Sequence, residues 1–458
     1  MNKRKSILLV FIVLTITALF HFIDIYNFNS ISPLFLRILR WIFIGSLVLF
    51  AIYKRSLTTW ILVAMVIGVE IGVDFPEVAK GLKVLSQIFL RLVKTIIAPI
   101  LFSTLVVGIA GHSDLKQVGR MGWKSIVYFE VVTTIALIIG LVAINITQAG
   151  VGIHIPPGFH EELPVTMPQT WQDVILHIFP ENFVKSIYNG DVLPIVVFSV
   201  IFGIGLALVK EEKRKPMLLF SESLAETMFK FTNIIMHFAP FGVGAAIAFT
   251  VGHLGLDILY SLLKLLLTLY AALFVFLGGI LFSIAYFLRI PVRQFIKAVS
   301  EPVAIAFATT SSESALPIAM ENMEKFGVPR KIVSFVLPTG YTFNLDGTTL
   351  YLSLASVFVA QAAGMHMPIG TQFAMGLTLM LTSKGVAGVP RASLVILLGT
   401  VSSFGLPLWP VMAILGIDEL MDMARTSVNV IGNALASCVV AKWEGEFDQQ
   451  KALAFVPD

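Results

Sequence analysis

The chain has 458 residues, of which 57% are hydrophobic and 13% charged, with a mean hydropathy of +0.89. This composition excludes a soluble globular domain, and the alternation of a membrane β-barrel is absent, so the fold expected is an all-α integral membrane protein. One cysteine, Cys438, excludes an internal disulfide and a cysteine-based metal cluster, and the net charge of +4 collects at helix ends rather than on a nucleic-acid face.

Neither a phosphate-cradling Gly-Lys-Ser/Thr loop nor a His-Glu-x-x-His pair occurs, and the eight histidines are scattered. The first apolar run, 6–22, follows Asn2-Lys3-Arg4-Lys5 and has no small-x-small cleavage site before Asp24, which predicts a retained helix rather than a signal peptide. A second helix is predicted over about 35–53, ending at Lys54-Arg55, and a third over about 59–73. The polar stretch 74–83 leads into 84–110. The next runs, 123–147 and 193–208, are separated by a proline-rich polar segment at 150–191. After the charged run 210–215 come 225–251 and 256–288. With this threading the basic clusters at the N-terminus and at 54–55, 116–120, 210–215, 289–297 and 325–331 share one side. The positive-inside rule then puts both termini in the cytoplasm. Arg37 and Arg40, at the outer end of the second helix, run against that rule.

The last third departs from simple spans. Residues 293–330 carry Thr309-Thr310-Ser311-Ser312-Glu313-Ser314 and then Pro317 between two basic ends, as a re-entrant helical hairpin with a serine-rich tip would. From the other side, 367–406 holds Thr382-Ser383-Lys384-Gly385-Val386-Ala387-Gly388-Val389-Pro390 at its centre, again two half-helices meeting at a tip. Two interrupted segments of opposite orientation suggest an inverted repeat around a midplane site; two kinked helices are the alternative. Between them, 331–360 is broken at 338–348. Thr342, Asn344, Asp346 and carbonyls freed by an unwound turn are hard oxygen ligands suited to Na⁺ or to a proton relay. A Pro/Gly kink with a capping aspartate is the plainer reading of that turn.

In the apolar segment 409–440, Asp422, Arg425, Thr426, Asn429 and Asn433 recur at i, i+3, i+4, i+7 and i+11, one stripe of a helix. A charge at mid-bilayer costs about 2.5–3.5 kcal/mol on insertion scales. Asp422 and Arg425 can neutralise each other without a solute. Five polar side chains on one face exceed what that pair requires, so the stripe is predicted to face a solute.

Ser311-Ser312-Glu313-Ser314-Ala315-Leu316-Pro317, Asn344-Leu345-Asp346-Gly347-Thr348, Gly385-Val386-Ala387-Gly388-Val389-Pro390 and the run 422–433 together resemble the dicarboxylate/amino acid:cation symporter family. That family includes the animal excitatory amino-acid transporters and bacterial glutamate and C4-dicarboxylate symporters. The resemblance covers about residue 57 to the C-terminus. It implies eight core transmembrane helices with two re-entrant hairpins, at about 293–330 and 367–406, to which this chain adds two N-terminal helices at 1–56. It further implies a homotrimer of elevators in the inner (plasma) membrane. Scaffold helices would fall within 57–118, a transport-domain helix within 119–150, an extracellular loop and scaffold helices within 151–252, and the rest of the transport domain within 253–458.

By the same resemblance, Arg425 grips the substrate side-chain carboxylate and Asp422 its ammonium. Thr348, Thr426 and Asn429 make polar contacts, while Ser311, Ser312 and the tip Ala387, Gly388, Val389 and Pro390 hold the α-carboxylate. Members specialised for C4-dicarboxylates tend to lack an aspartate at position 422, so glutamate or aspartate is the substrate expected. The coupling set implied is Thr133, Thr134, Gly340, Thr342, Asn344, Asp346, Ser383, Asn429 and Asn433. Sodium-coupled members usually carry an aspartate where Asn433 stands, and Leu352 replaces the protonatable glutamate of the animal transporters. Glu130, one turn before Thr133 and Thr134, is an acid inside a spanning run and a candidate proton carrier with Asp346. The expectation is proton-coupled symport of acidic amino acids, without a bound cofactor. Sodium coupling and C4-dicarboxylate symport are the alternatives. A passive anion channel and an intramembrane hydrolase using Ser311-Ser312 are remoter ones.

Overall fold

A computed structural model describes residues 3–26, 31–110, 115–153, 179–189, 192–383 and 392–456, and among these residues all regular secondary structure is helical. Contacts within the chain divide it into two compact units. One comprises Met1–Arg91 with Ile234–Leu259, the other Leu92–Asn233 with Tyr260–Asp458.

The first unit begins with α1 (Lys3–Ile25), which packs against α2 (Pro33–Lys54), and α2 in turn packs against α3 (Leu57–Asp74). Proline in the first turn of α2 has no N–H to leave unpaired, and Arg55 ends the helix in the left-handed region at φ 51°. A short helix α4 (Pro76–Gly81) precedes α5 (Lys83–Ala110). α3 lies along α10 (Ala239–Leu254) at van der Waals distance because small residues line the seam. A Cβ on Gly68 would collide with the carbonyl of Gly244, and one on Gly72 would fall 2.7 Å from Val251 Cβ. This is how helices associate in lipid, where apolar surface alone gives no preference for another helix.

The second unit holds α6 (Leu115–Thr147), α7 (Phe183–Asn189), α8 (Val192–Leu208) and most of α9 (Glu211–Met236). It continues with α11 (Asp257–Phe276), which passes through a π-helical turn at Leu277–Leu281 into α12 (Phe282–Phe287). α13 (Val292–Thr309) and α14 (Ser312–Lys325) pack against each other across a turn at Thr310, whose φ is 53°. α15 (Arg330–Phe343) and α16 (Asp346–Ala362) follow, then α17 (Ile369–Ser383), α18 (Ala392–Ser403), α19 (Trp409–Leu415), α20 (Asp418–Glu444) and α21 (Gln449–Ala454). α16 runs against α6 and α20, so the broken 331–360 segment lies in the middle of this unit.

Three predicted elements divide differently. The run 225–251 is not one helix: α9 already starts at Glu211, inside the charged run, and ends before Pro240, which opens α10. The segment 409–440 breaks at Gly416-Ile417, so α20 begins at Asp418. The run 256–288 is interrupted by its π-turn at Gly278-Gly279. Among the described residues, five helices are long and apolar enough to cross a membrane, or six with α9 and α10 taken as one span, against the eight core helices and two N-terminal helices predicted. The difference has a physical source. α20 carries Asp418, Glu419, Asp422 and Arg425, and α15–α16 is interrupted at Asn344-Leu345, so the elements that gather polar groups are the least apolar.

Candidate solute-binding site

The site is built where α20 meets the break between α15 and α16. α20 presents Asp418, Asp422, Arg425, Thr426, Asn429 and Asn433, all buried. Arg425 is 1% exposed and is held from three directions. Its Nε donates to Asp422 Oδ1 at 2.9 Å, and its Nη1 donates to Asp418 Oδ1 at 3.0 Å. The guanidinium lies 4.2 Å above the Tyr351 ring, and the Tyr351 hydroxyl donates to Asp418 Oδ1 at 3.2 Å. Thr426 Oγ1 donates to Asp422 Oδ1 at 3.0 Å. Arg425 Nη2 is buried and has no hydrogen-bond partner among the described residues.

The pairing of Asp422 with Arg425, the alternative to a solute-facing stripe, is present, but inside a larger cluster. One guanidinium faces two carboxylates, and one of its nitrogens has no hydrogen-bond partner among the described residues. An orphaned donor in a dry site is costly, about 1–3 kcal/mol or more for a charged group, unless an acceptor arrives. The arrangement can thus receive an anion at Nη2 and a cation against the carboxylates. A zwitterion with an added carboxylate supplies both.

Below it, the α15–α16 break is tied to α20 through amides. Asn429 Oδ1 accepts from the backbone N–H groups of Gly347 (2.8 Å) and Thr348 (3.3 Å), and its Nδ2 donates to Thr348 Oγ1 at 2.9 Å. These bonds satisfy donors at the start of α16 that lack an intrahelical partner. Asn344 Nδ2 donates to Asp346 Oδ2 and to Asn433 Oδ1, each at 3.2 Å, while Asn433 Nδ2 donates to the Asn344 carbonyl at 3.3 Å. Asn344, Asp346 and Asn433 are all fully buried. Close approach is needed here: a Cβ on Gly347 would meet the Arg425 carbonyl, and one on Gly432 would meet Asp346 Oδ2.

The other predicted residues take several places. Thr133 Oγ1 donates to the Phe129 carbonyl and Thr134 Oγ1 to the Glu130 carbonyl, both at 2.6 Å. Glu130 is half-buried on α6, one turn earlier. Gly340 packs directly against Asn433. Ser311 caps α14, its Oγ accepting from Ser314 N–H at 3.4 Å, and Ser312 is buried. An apolar cluster of Ala306, Ala315, Tyr341 and Val430 joins that turn to α15 and α20. Ser383 Oγ donates to the Met380 carbonyl at 2.8 Å and is buried at the end of α17. Ala387, Gly388, Val389 and Pro390, together with the Thr342 side chain, lie outside the described residues.

Asp418 and Tyr351 were missed in the sequence. Asp418 stands one turn before Asp422 on the same stripe, so extending the i, i+4 count backwards finds it. Tyr351 lies one turn after Thr348, a signal too weak to single it out from the other apolar positions of α16.

The family model described as the sodium:dicarboxylate symporter family matches residues 57–443. The chain is 44% identical over 418 residues to the proton/sodium-glutamate symport protein of Geobacillus stearothermophilus, covering 88% of this chain and 98% of that protein. It is 43% identical over 419 residues to the proton/glutamate-aspartate symporter of Escherichia coli (strain K12), covering 88% and 96%. It is also 40% identical over 408 residues to the C4-dicarboxylate transport protein of Bacillus subtilis (strain 168), covering 88% and 97%.

Proposed function

The chain belongs to the sodium:dicarboxylate symporter family, and from that premise we propose that it takes up glutamate or aspartate across the plasma membrane in symport with protons. It is a transporter and not an enzyme. Arg425 carries the assignment: a fully buried guanidinium gripped by Asp418 and Asp422, with one nitrogen that has no partner among the described residues. A side-chain carboxylate takes Nη2, the substrate ammonium takes Asp422, and Thr426 and Asn429 border both. The α-carboxylate falls to the Ser311-Ser312 turn and the 387–390 tip. A C4-dicarboxylate brings no ammonium and places a second carboxylate against Asp422 instead.

The coupling proton is carried by Glu130 or Asp346. Asn433 favours this over sodium, because its amide donates to the Asn344 carbonyl where a carboxylate would offer charge to a cation. Sodium coupling remains the second reading, favoured by the buried oxygens gathered at Asn344, Asp346 and Asn433. The two helix pairs α13–α14 and α17–α18 serve as re-entrant hairpins, the second as a lid over the solute, in a homotrimer whose transport units move as elevators. Both termini face the cytoplasm.

Counterflow of labelled glutamate and of labelled succinate into proteoliposomes tests the substrate. The proposal expects exchange of glutamate or aspartate at concentrations where succinate exchanges at least tenfold more slowly. Equal or faster succinate exchange overturns it.

A further inference from the structure

The family match begins at residue 57, the first residue of α3, so α1 and α2 lie outside it. α2 is nevertheless joined to α3 by a closed polar cluster. Arg37 Nε donates to Asp74 Oδ2 at 2.8 Å, and its Nη2 to the Asp74 backbone carbonyl at 3.4 Å. Arg40 Nη2 donates to Asp74 Oδ1 at 3.1 Å, and Arg40 Nε pairs with Glu70 Oε1. Trp41 Nε1 donates to Asp74 Oδ2 at 2.8 Å, and the Arg37 guanidinium lies 4.5 Å over the Phe75 ring. Two arginines face two carboxylates, so the cluster is neutral.

The two acids belong to α3, and their side chains are only 11% and 7% exposed for Glu70 and Asp74. The face of α3 turned to α10 is lined by Gly68 and Gly72, and neither helix contains a lysine or arginine. The counter-charges come from α2. α1 packs on α2, with Thr17 Oγ1 donating to the Leu39 carbonyl at 3.5 Å, and turns Leu8, Phe11, Leu19 and Phe22 outward as a lipid face. Arg37 and Arg40, the two residues that run against the positive-inside rule in the expected topology, are each paired with an acid of α3.

We propose that α1 and α2 form a built-in partner of the scaffold, with α2 latched to α3 as the dicationic counterpart of Glu70 and Asp74. Without it, Glu70 and Asp74 lose the counter-charges that α2 supplies, which a spanning helix tolerates poorly. The arginines are about one-third exposed, so solvent weakens the pairs without abolishing them. The inference does not depend on the identity of the solute.

The test is a charge-swap cycle in the full chain: Arg40→Glu, Glu70→Arg and the double exchange, read as the thermal unfolding midpoint in detergent. Each single reversal places two like charges in contact and is expected to lower the midpoint by roughly 5 °C or more, with the double exchange recovering at least half of the loss. Single variants that fail to fold count the same way if the double exchange restores a folded protein. Single reversals without effect, or a double exchange as unstable as the two losses summed, overturn the proposal. Asp74→Asn gives an independent reading. Read by the same unfolding midpoint, it is expected to lower that value by roughly 2 °C or more, and an unchanged midpoint contradicts the latch.

Discussion

Arg425 and Asp418 are joined through Nη1 and Oδ1 at 3.0 Å, two turns apart on α20 and almost wholly buried. Asp422 holds Nε and Tyr351 covers the guanidinium face, so the orientation of Nη2 is fixed before any solute arrives. Such pre-organisation reduces the ordering cost of binding. Asp418→Asn keeps an acceptor but removes the charge, and should raise the half-saturating glutamate concentration about tenfold or more. Uptake at graded glutamate concentrations checks this, and an unchanged value means that Asp418 does not position Arg425.

Arg425→Ala should abolish uptake of acidic amino acids while the protein still assembles in the membrane. Truncating one partner of a buried charged pair costs roughly 2–5 kcal/mol, thirty-fold or more in affinity. Arg425→Lys is expected to fare little better, because an ammonium cannot serve Asp418, Asp422 and a solute carboxylate in one plane. Isothermal titration with glutamate reads both. Near-normal affinity in either variant removes Arg425 from the site.

Asp422→Ser should weaken glutamate far more than succinate, since only glutamate presents an ammonium. The comparison is a ratio of inhibition constants in one preparation, so altered folding cancels. Equal losses for the two would move the assignment to a C4-dicarboxylate.

Asn433→Asp places a carboxylate beside Asn344 and Asp346 and takes away the amide that donates to the Asn344 carbonyl. Added charge at an oxygen site strengthens cation binding. Uptake by the variant should become stimulated by Na⁺ in the millimolar range. Indifference to Na⁺ would show that position 433 is not what limits cation binding.

Much of this architecture was legible in the sequence because membrane helices announce themselves by apolar length, and buried charges inside them are rare enough to mark a site. Asp422, Arg425, Thr426, Asn429 and Asn433 lie on one buried stripe as their spacing required, and Asn344 with Asp346 meets that stripe from another helix. What spacing did not carry was long-range pairing. Nothing local joins Arg37 to Asp74 or Tyr351 to Asp418, because each pair is created by two helices meeting. The break at His237-Phe238 was missed for a related reason: apolar composition continues across it, and only Pro240 marks the change.

Proteoliposomes loaded at alkaline pH and diluted into acidic, Na⁺-free buffer test the central claim most directly, namely that acidic amino acids enter with protons. Labelled glutamate should accumulate above its external concentration, collapse of the gradient by a protonophore should abolish accumulation, and Glu130→Gln should lose it while retaining exchange. Accumulation that requires Na⁺ and is unaffected by the pH gradient would contradict the account.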